Sequence, residues 1–318
     1  MIALIRNPNA SGCEGGRVGR SELERIIAGS GYVIETATPD ELGAAITRCQ
    51  LDGVEILVSC GGDGTHNSII NALISYYHGK PSEMPLFAPL AAGAGNIIPR
   101  AMAMARKPER ALEAIVAGKN PRKSRTYPLL RLWTDYGLRY GFVFAAGSIA
   151  TFLRLYYDRT VVAFGERKPN LRKALGMVAR VATSFVLGGS LIRQLLEPLE
   201  LELDIDCARY QVQPNVVLAA PTRFSVLGFK PFSGMEDDRE KLNAMWGTIS
   251  LETALRNFFI PRVYLGLPLK SSRLEIKKLA RFELAAKKAF DYVLDGELYC
   301  ASRIKIERGF ELRVPVLG

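Results

Sequence analysis

Gly61, Gly62, Asp63, Gly64 and Thr65 follow six largely apolar residues, Val54–Ser59. They precede Ile69, Ile70, Leu73 and Ile74, which fall at helical spacing. A strand, a glycine-rich turn and a helix start make an anion site, because the first N–H groups of a helix have no partner inside it. Glycines let such a backbone come close to a phosphate. Asp63 sets a carboxylate where the phosphate would sit. The two repel unless Mg2+ lies between them, so the combination points to a metal-bound nucleotide. No Gly-Lys-Ser/Thr follows, which excludes the P-loop. Taken alone, the same residues also read as a tight strand-to-helix turn capped by Asp63 and Thr65.

Two more small-residue loops follow apolar runs. Asn7, Pro8, Asn9, Ala10, Ser11 and Gly12 come after Ile2–Ile5, and Gly15 and Gly16 extend that loop. Gly93, Ala94, Gly95 and Asn96 come after Leu86–Leu90. Between them, Leu23, Ile26 and Ile27 form a helix face, and Tyr32–Glu35 reads as a strand. Thr38 and Pro39 begin a helix running to about Gln50, with Thr38 as N-cap and Pro39 at the first helical position. Strands alternating with helices to about Gly118 imply a parallel sheet with helices on its faces. Ligands of such sheets bind beyond the strand C-terminal ends, where all three loops would lie.

A basic stretch, Lys119–Arg125, reads as the linker, after which the apolar period becomes two. Leu129–Trp133, Arg139–Phe144, Leu199–Asp206, Gln211–Ala219, Arg273–Lys277 and Tyr292–Leu294 read as strands of a largely antiparallel second domain. A helical insert at about Leu171–Leu196 reads as a core helix or an acyl-chain lining. Its neighbours Arg167, Lys168, Arg172 and Lys173 suit an acidic membrane surface. The expected architecture is an α/β nucleotide-binding domain (1–122), a β-rich lipid-substrate domain (123–302) and a C-terminal segment (303–318) that packs back on the first.

Composition narrows the chemistry further. The chain of 318 residues carries a net charge of +10, which favours anionic partners. Only two histidines occur, so a histidine metal site or triad is not expected. Five scattered cysteines without a C-x-x-C pair fit reduced cytosolic thiols. No signal peptide and no run of about 18 apolar residues is seen. No basic-aromatic nucleic-acid reader is present, so a nucleic-acid partner is not expected.

Asn7-Pro8 with Ser11-Gly12, Gly61-Gly62-Asp63-Gly64-Thr65 with Asn67, Gly93-Ala94-Gly95-Asn96, and Asp295-Gly296-Glu297 occur in one order. Together they resemble the diacylglycerol kinase catalytic family, which includes sphingosine and ceramide kinases and bacterial relatives. The Gly-Gly-Asp-Gly-Thr element alone is shared with NAD kinases. The resemblance implies a lipid kinase that uses ATP and Mg2+, with its site between two domains. It further implies that Asn7, Pro8, Asn9, Ala10, Ser11, Thr38, Gly61 to Thr65, Asn67, Gly93, Ala94 and Asn96 hold the nucleotide. Asp63 would organise Mg2+ through the phosphates, and Glu297 would accept the proton of the lipid hydroxyl, with Asp295 as its rival. A cytoplasmic protein bound peripherally to anionic membrane is the matching expectation, and a homodimer is left open. Three departures stand out: Ala94 and Ile97 replace a family threonine and aspartate, Ser68 replaces a glutamate, and Glu236-Asp237-Asp238 lacks the following glycine. They leave open the identity of the phosphoryl donor and a structural Mg2+ near Asp237 and Asp238. The alternatives are a lipid- or nucleotide-binding relative with weakened turnover and a soluble-substrate kinase such as NAD kinase.

Overall fold

The computed structural model describes residues 1–14, 18–93, 95–105, 107–118, 123–155, 189–224, 230–250, 271 and 273–316. The chain forms two units, Met1–Pro128 with Phe310–Gly318, and Leu129–Gly309.

In the first unit, strand β1 (Ile2–Arg6) is buried at every residue, and β3 (Ile56–Gly61) likewise. Continuous burial is what a parallel strand covered on both faces requires, and it explains why these runs do not alternate. With β2 (Gly31–Glu35) and β4 (Leu86–Ala91) they form a parallel sheet in the order β2-β1-β3-β4. Register is set directly: Ile2 lies beside Gly31 and Ile56, and Ile56 beside Leu86.

The helices of this unit are α1 (Ser11–Glu14), α2 (Arg20–Ile27), α3 (Pro39–Leu51), α4 (Asp63–Tyr76), α5 (Ile97–Ala101) and α6 (Pro108–Ala117). Each longer one buries a stripe: Leu23 and Ile27 in α2, Ile69, Ile70, Leu73 and Ile74 in α4, and Ala111, Leu112 and Ile115 in α6. The C-terminal segment adds buried Leu312 and Val314 to this unit, and Arg313 Nη2 donates to Met84 O at 2.7 Å.

The second unit holds β5 (Ser124–Thr134, entering from the first unit), β6 (Gly137–Gly141), β7 (Phe144–Gly147), β8 (Leu201–Ile205), β9 (Ala208–Val212), β10 (Val216–Ala220), β11 (Leu242–Gly247), β12 (Leu274–Leu279), β13 (Arg281–Leu294) and β14 (Glu297–Pro315). The sheet order is β12-β11-β10-β7-β13-β14-β5-β6, with β8 pairing β13 and β9. The pairs β7–β10, β10–β11, β11–β12, β7–β13, β8–β13, β8–β9, β13–β14 and β5–β6 are antiparallel. One face packs Leu132, Phe144, Trp246, Phe282 and Tyr292, the other Val216, Leu218, Phe232 and Met245.

Several element expectations need correction. Arg139–Phe144 is not one strand: β6 ends at Gly141 and β7 starts at Phe144, because the Phe142 and Val143 amides turn to the Asp295 carboxylate. Gln211–Ala219 splits at Gln213–Asn215, where Pro214 has no N–H to give a ladder. Tyr292–Leu294 is only the end of the 14-residue β13. Ser124 and Arg125 belong to β5 rather than to a linker. Of the helical insert, only the short helix Ser190–Leu195 lies within the described residues, and Arg167, Lys168, Arg172 and Lys173 lie outside them. No helix among the described residues is long and apolar enough to cross a membrane.

Candidate active site

β1, β3 and β4 are neighbours in the sheet, so the loops at their C-terminal ends line one edge of the first unit. Side-chain hydrogen bonds join these loops. Asn7 Nδ2 donates to Thr65 Oγ1 at 2.9 Å, linking the β1 loop to the first turn of α4. Asn7 Oδ1 accepts the Asn9 N–H at 2.9 Å, which folds the chain between them into an Asx turn. The Gly12 N–H reaches Ala92 O at 2.9 Å, tying α1 to the β4 loop. A Cβ at Gly93 would stand 2.6 Å from Gly62 Cα, so the β3 and β4 loops touch backbone to backbone and only glycine fits. Asn96, at φ 52°, closes the third loop by accepting from the Gly93 N–H and donating to Gly93 O.

α4 begins at this edge. Its N-cap is Gly62, with extended backbone and no side-chain capping bond. A 14-residue helix with an uncapped glycine N-terminus supplies N–H groups and a positive dipole end to a ligand at the edge.

Asp63 does not point to that edge alone. Its Oδ1 accepts the Ile98 N–H at 2.9 Å, and the Ile97 and Asn96 amides also donate to the carboxylate. The side chain thus caps α5 across the glycine contact. Burial raises its pKa, and the three amides and the Arg100 charge pull it back down only in part.

Two side-chain sets beneath the edge support the loops. Arg6, the last residue of β1, is buried, pairs with Glu35 and donates Nη2 to Cys13 O and Val18 O, each at 3.2 Å. It thereby holds both sides of the segment after β1. Ser59 Oγ and His66 Nδ1 are 2.7 Å apart, both fully buried. Burial pushes the His66 imidazole down to about 3, so it stays neutral and structural. Neither set is expected from the sequence reading. The signal for Arg6 is a charged residue ending an otherwise apolar buried strand, which demands a buried partner.

In the second unit, Asp295-Gly296 is the two-residue turn between β13 and β14, with φ of 52° and 89°. Both angles positive is the hairpin turn that Asp-Gly favours. Asp295 is buried and accepts the Phe142 and Val143 N–H groups at 2.9 and 2.8 Å, while its own N–H donates to Val143 O. Glu297, two residues on, is exposed. Beside it, Tyr299 stacks on Tyr292, and Arg139 lies 4.4 Å over the Tyr299 ring. Burial pushes the Tyr299 phenol up, Arg139 opposes this, and the Glu297 and Asp295 carboxylates add to it.

Residues 1–125 match the family described as Diacylglycerol kinase catalytic domain. That match lies within the first unit. Over the whole chain, a solved diacylglycerol kinase from Bacillus anthracis str. Sterne superposes with TM-score 0.61 at 15% identity, covering 100% of this chain and 98% of that one. A candidate diacylglycerol kinase from the same organism gives TM-score 0.64 at 13% identity, with coverage of 98% and 95%. At such identities the likeness shows the two-domain fold alone. No curated protein sequence matches the chain.

Within the first unit, the structure brings together Asn7, Pro8, Asn9, Ala10, Ser11, Gly61, Gly62, Asp63, Gly64, Thr65, Gly93 and Asn96 along one edge. Ala94 lies outside the described residues. Thr38 follows β2, the outer strand, and its hydroxyl accepts the Glu41 N–H at 3.3 Å in a capping box. Asn67 is buried inside α4, where its Oδ1 and O accept from Asn71. Glu297 belongs to the other unit. Among the described residues, no group of three or more His, Cys, Asp or Glu side chains converges on a metal site. The acidic loop near 237 is held by its own chain: Asp237 Oδ1 accepts the Arg223 N–H, and Asp238 Oδ1 accepts from Glu240 and Lys241.

Proposed function

We propose that this protein is an ATP-dependent lipid kinase that transfers the γ-phosphoryl group to a hydroxyl of a diacylglycerol-like lipid. The observation that carries the proposal is the uncapped start of α4 set between two glycine-lined loops, inside a segment matching the diacylglycerol kinase catalytic domain. A nucleotide fits this edge. The N–H groups of the α4 first turn supply donors to phosphate oxygens, and the Gly62–Gly93 contact keeps side chains out of the way. A protein-built Mg2+ site does not fit as well, because Asp63 already accepts three amides. Mg2+ would therefore arrive on the nucleotide, neutralising phosphate charge, with Asp63 fixing the loop geometry around it.

Glu297 is assigned the proton of the lipid hydroxyl. An exposed carboxylate on a rigid hairpin can accept a proton as the acceptor oxygen attacks. Asp295 is not assigned that role, since both its oxygens face buried amides. The net charge of +10 supports peripheral attachment to anionic membrane, where the acceptor would be met.

A second reading, a nucleotide- or lipid-binding relative with little turnover, is favoured by one feature. Ile97 stands where a second carboxylate would be, and Asp63 is held as a cap. The deciding experiment incubates purified protein with γ-labelled ATP, Mg2+ and either NAD or vesicles containing diacylglycerol, sphingosine or ceramide. Labelled lipid from one class, lost in Glu297→Gln, is the expected result. Label on NAD instead would point to a soluble-substrate kinase. ATP binding with no labelled product at all would leave the binding relative.

A further inference from the structure

Cys13 and Cys60 are far apart in sequence yet their sulfurs lie 3.8 Å apart, both side chains buried. Cys13 sits in α1, the single turn that follows the first anion loop. Cys60 sits in β3, one residue before the Gly61–Thr65 loop and beside Arg6 in the sheet register. Arg6 also grips the Cys13 carbonyl. The thiol pair therefore joins two of the three loops at their roots. The other cysteines are placed differently: Cys49 is buried in α3, and Cys207 and Cys300 are exposed in the second unit.

We propose that Cys13 and Cys60 are a redox modification site, forming a reversible disulfide that shuts the phosphate-binding edge. The partner oxidant is a small-molecule disulfide such as oxidised glutathione. The Cys13 thiolate attacks one of its sulfurs, forming a mixed disulfide and releasing one thiolate. The Cys60 sulfur then attacks the Cys13 sulfur of the mixed disulfide and displaces the second thiolate, which takes up the Cys60 proton. Two protein thiols are oxidised to one disulfide, and one small disulfide is reduced to two thiols. Cys13 is the attacking sulfur because its contact with the Cys60 thiol and the nearby Arg6 guanidinium hold its own thiol below the ordinary range. The same contact, together with burial, pushes Cys60 up.

The consequence follows from distance. A disulfide needs an S–S separation of about 2.05 Å, so the sulfurs must close by roughly 1.8 Å. β3 is a central strand, buried at every residue, and does not move cheaply. α1 is one turn, so the shift falls on α1 and on the Asn7–Ser11 loop before it. That loop carries the Asn7–Thr65 bond, and α1 carries the Gly12–Ala92 bond. Both would be strained, and the effect on phosphate binding rests on the nucleotide reading given above.

The test uses the full-length reduced protein, incubated with oxidised glutathione, quenched by alkylation and digested. A cross-linked peptide containing Cys13 and Cys60 is expected, reversed by dithiothreitol and absent in Cys13→Ser and in Cys60→Ser. Exchange of the Gly12 amide should quicken on oxidation as its bond to Ala92 O is strained, a readout that needs no ligand. ATP affinity by calorimetry should fall by about tenfold on oxidation, and Cys60→Ser should show no such fall. Recovery of Cys13 and Cys60 as free thiols, with glutathione found only on Cys207 or Cys300, overturns the proposal. So does a mapped disulfide that changes neither exchange nor affinity. A reduced protein that fails to bind ATP refutes the nucleotide reading instead, and the peptide map with the exchange data then decides the disulfide on its own.

Discussion

Replacing Asp63 separates its two candidate roles, because alanine and asparagine remove different things. The carboxylate accepts amides from Asn96, Ile97 and Ile98, and burial raises its pKa despite them. A raised carboxyl pKa means that the fold tolerates the neutral form better than the charged one, so its stabilising share is present at low pH and declines as pH rises through the folded value. Asp63→Asn keeps one acceptor oxygen and drops the charge that burial opposes. It should leave stability within about 1 kcal/mol of wild type. Asp63→Ala removes the acceptor and leaves part-buried amides unpaired, which costs about 1–3 kcal/mol. Both tryptophans, Trp133 and Trp246, lie in the second unit, so their fluorescence does not report this change. Amide exchange does: the Ile98 N–H should exchange roughly 5- to 150-fold faster in the alanine variant, following tenfold per 1.36 kcal/mol. Near-wild-type exchange in Asp63→Ala would refute the cap, and equal acceleration in both variants would refute the argument that burial outweighs the amides. Kinase activity lost in both variants would mean that the negative charge itself is needed for turnover.

The remaining expectations are shorter. Glu297→Gln should lower kcat by roughly 10²–10⁴ while calorimetric ATP binding stays near wild type; unchanged turnover would remove Glu297 from the mechanism. Asp295→Ala should destabilise the second unit by about 1–3 kcal/mol, read by tryptophan fluorescence in urea, because the buried Phe142 and Val143 amides lose their acceptor; an unchanged midpoint would contradict this. His66 has its folded pKa depressed to about 3, so stability should fall as pH drops below about 6.5, by up to about 1.4 kcal/mol per unit, and His66→Gln should flatten that slope; parallel slopes would show that other groups govern it. Sedimentation with vesicles should rise with anionic lipid and weaken with salt, since exposed charges act over only about 8 Å at physiological ionic strength; equal binding to neutral vesicles would oppose it.

The first unit is legible in the sequence because its signals are local. Ile2–Ile5, Val54–Ser59 and Leu86–Leu90 are each followed within three residues by asparagine or glycine, and Thr38-Pro39 with Glu41 writes a helix start that the structure reproduces as a capping box. The parallel sheet and the edge occupied by the loops follow from alternation of strand and helix. The second unit is less legible for physical reasons. β11 reads Leu-Asn-Ala-Met-Trp-Gly and is almost wholly buried, so it shows no alternation. β13 loses its period where its pairing with β14 shifts between Ala285 and Phe290. The functions of Asp63 and Asp295 are illegible for a different reason. Their partners are amides 35 and 153 positions away, brought near only by the fold.

These two aspartates bear on how a motif residue is assigned its role. Each stands next to glycine in a turn, where the backbone leaves N–H groups unpaired, and an ionised carboxylate is the strongest acceptor available to them. Asp63 serves a loop that follows another strand, and Asp295 serves the break between β6 and β7. A carboxylate whose oxygens already accept two or three amides is badly placed to take a substrate proton, because its lone pairs are occupied by fixed backbone donors. It is also a poor metal ligand, since the same lone pairs are taken. What it does well is hold the glycine turn in one shape. On the function proposed above, chemistry would fall to the neighbours that the aspartates position: the amides at the start of α4 for the phosphates, and exposed Glu297 for the proton. Asp63 and Asp295 would then resist substitution by alanine because the turns beside them lose their shape, which a structural probe detects in the absence of any substrate.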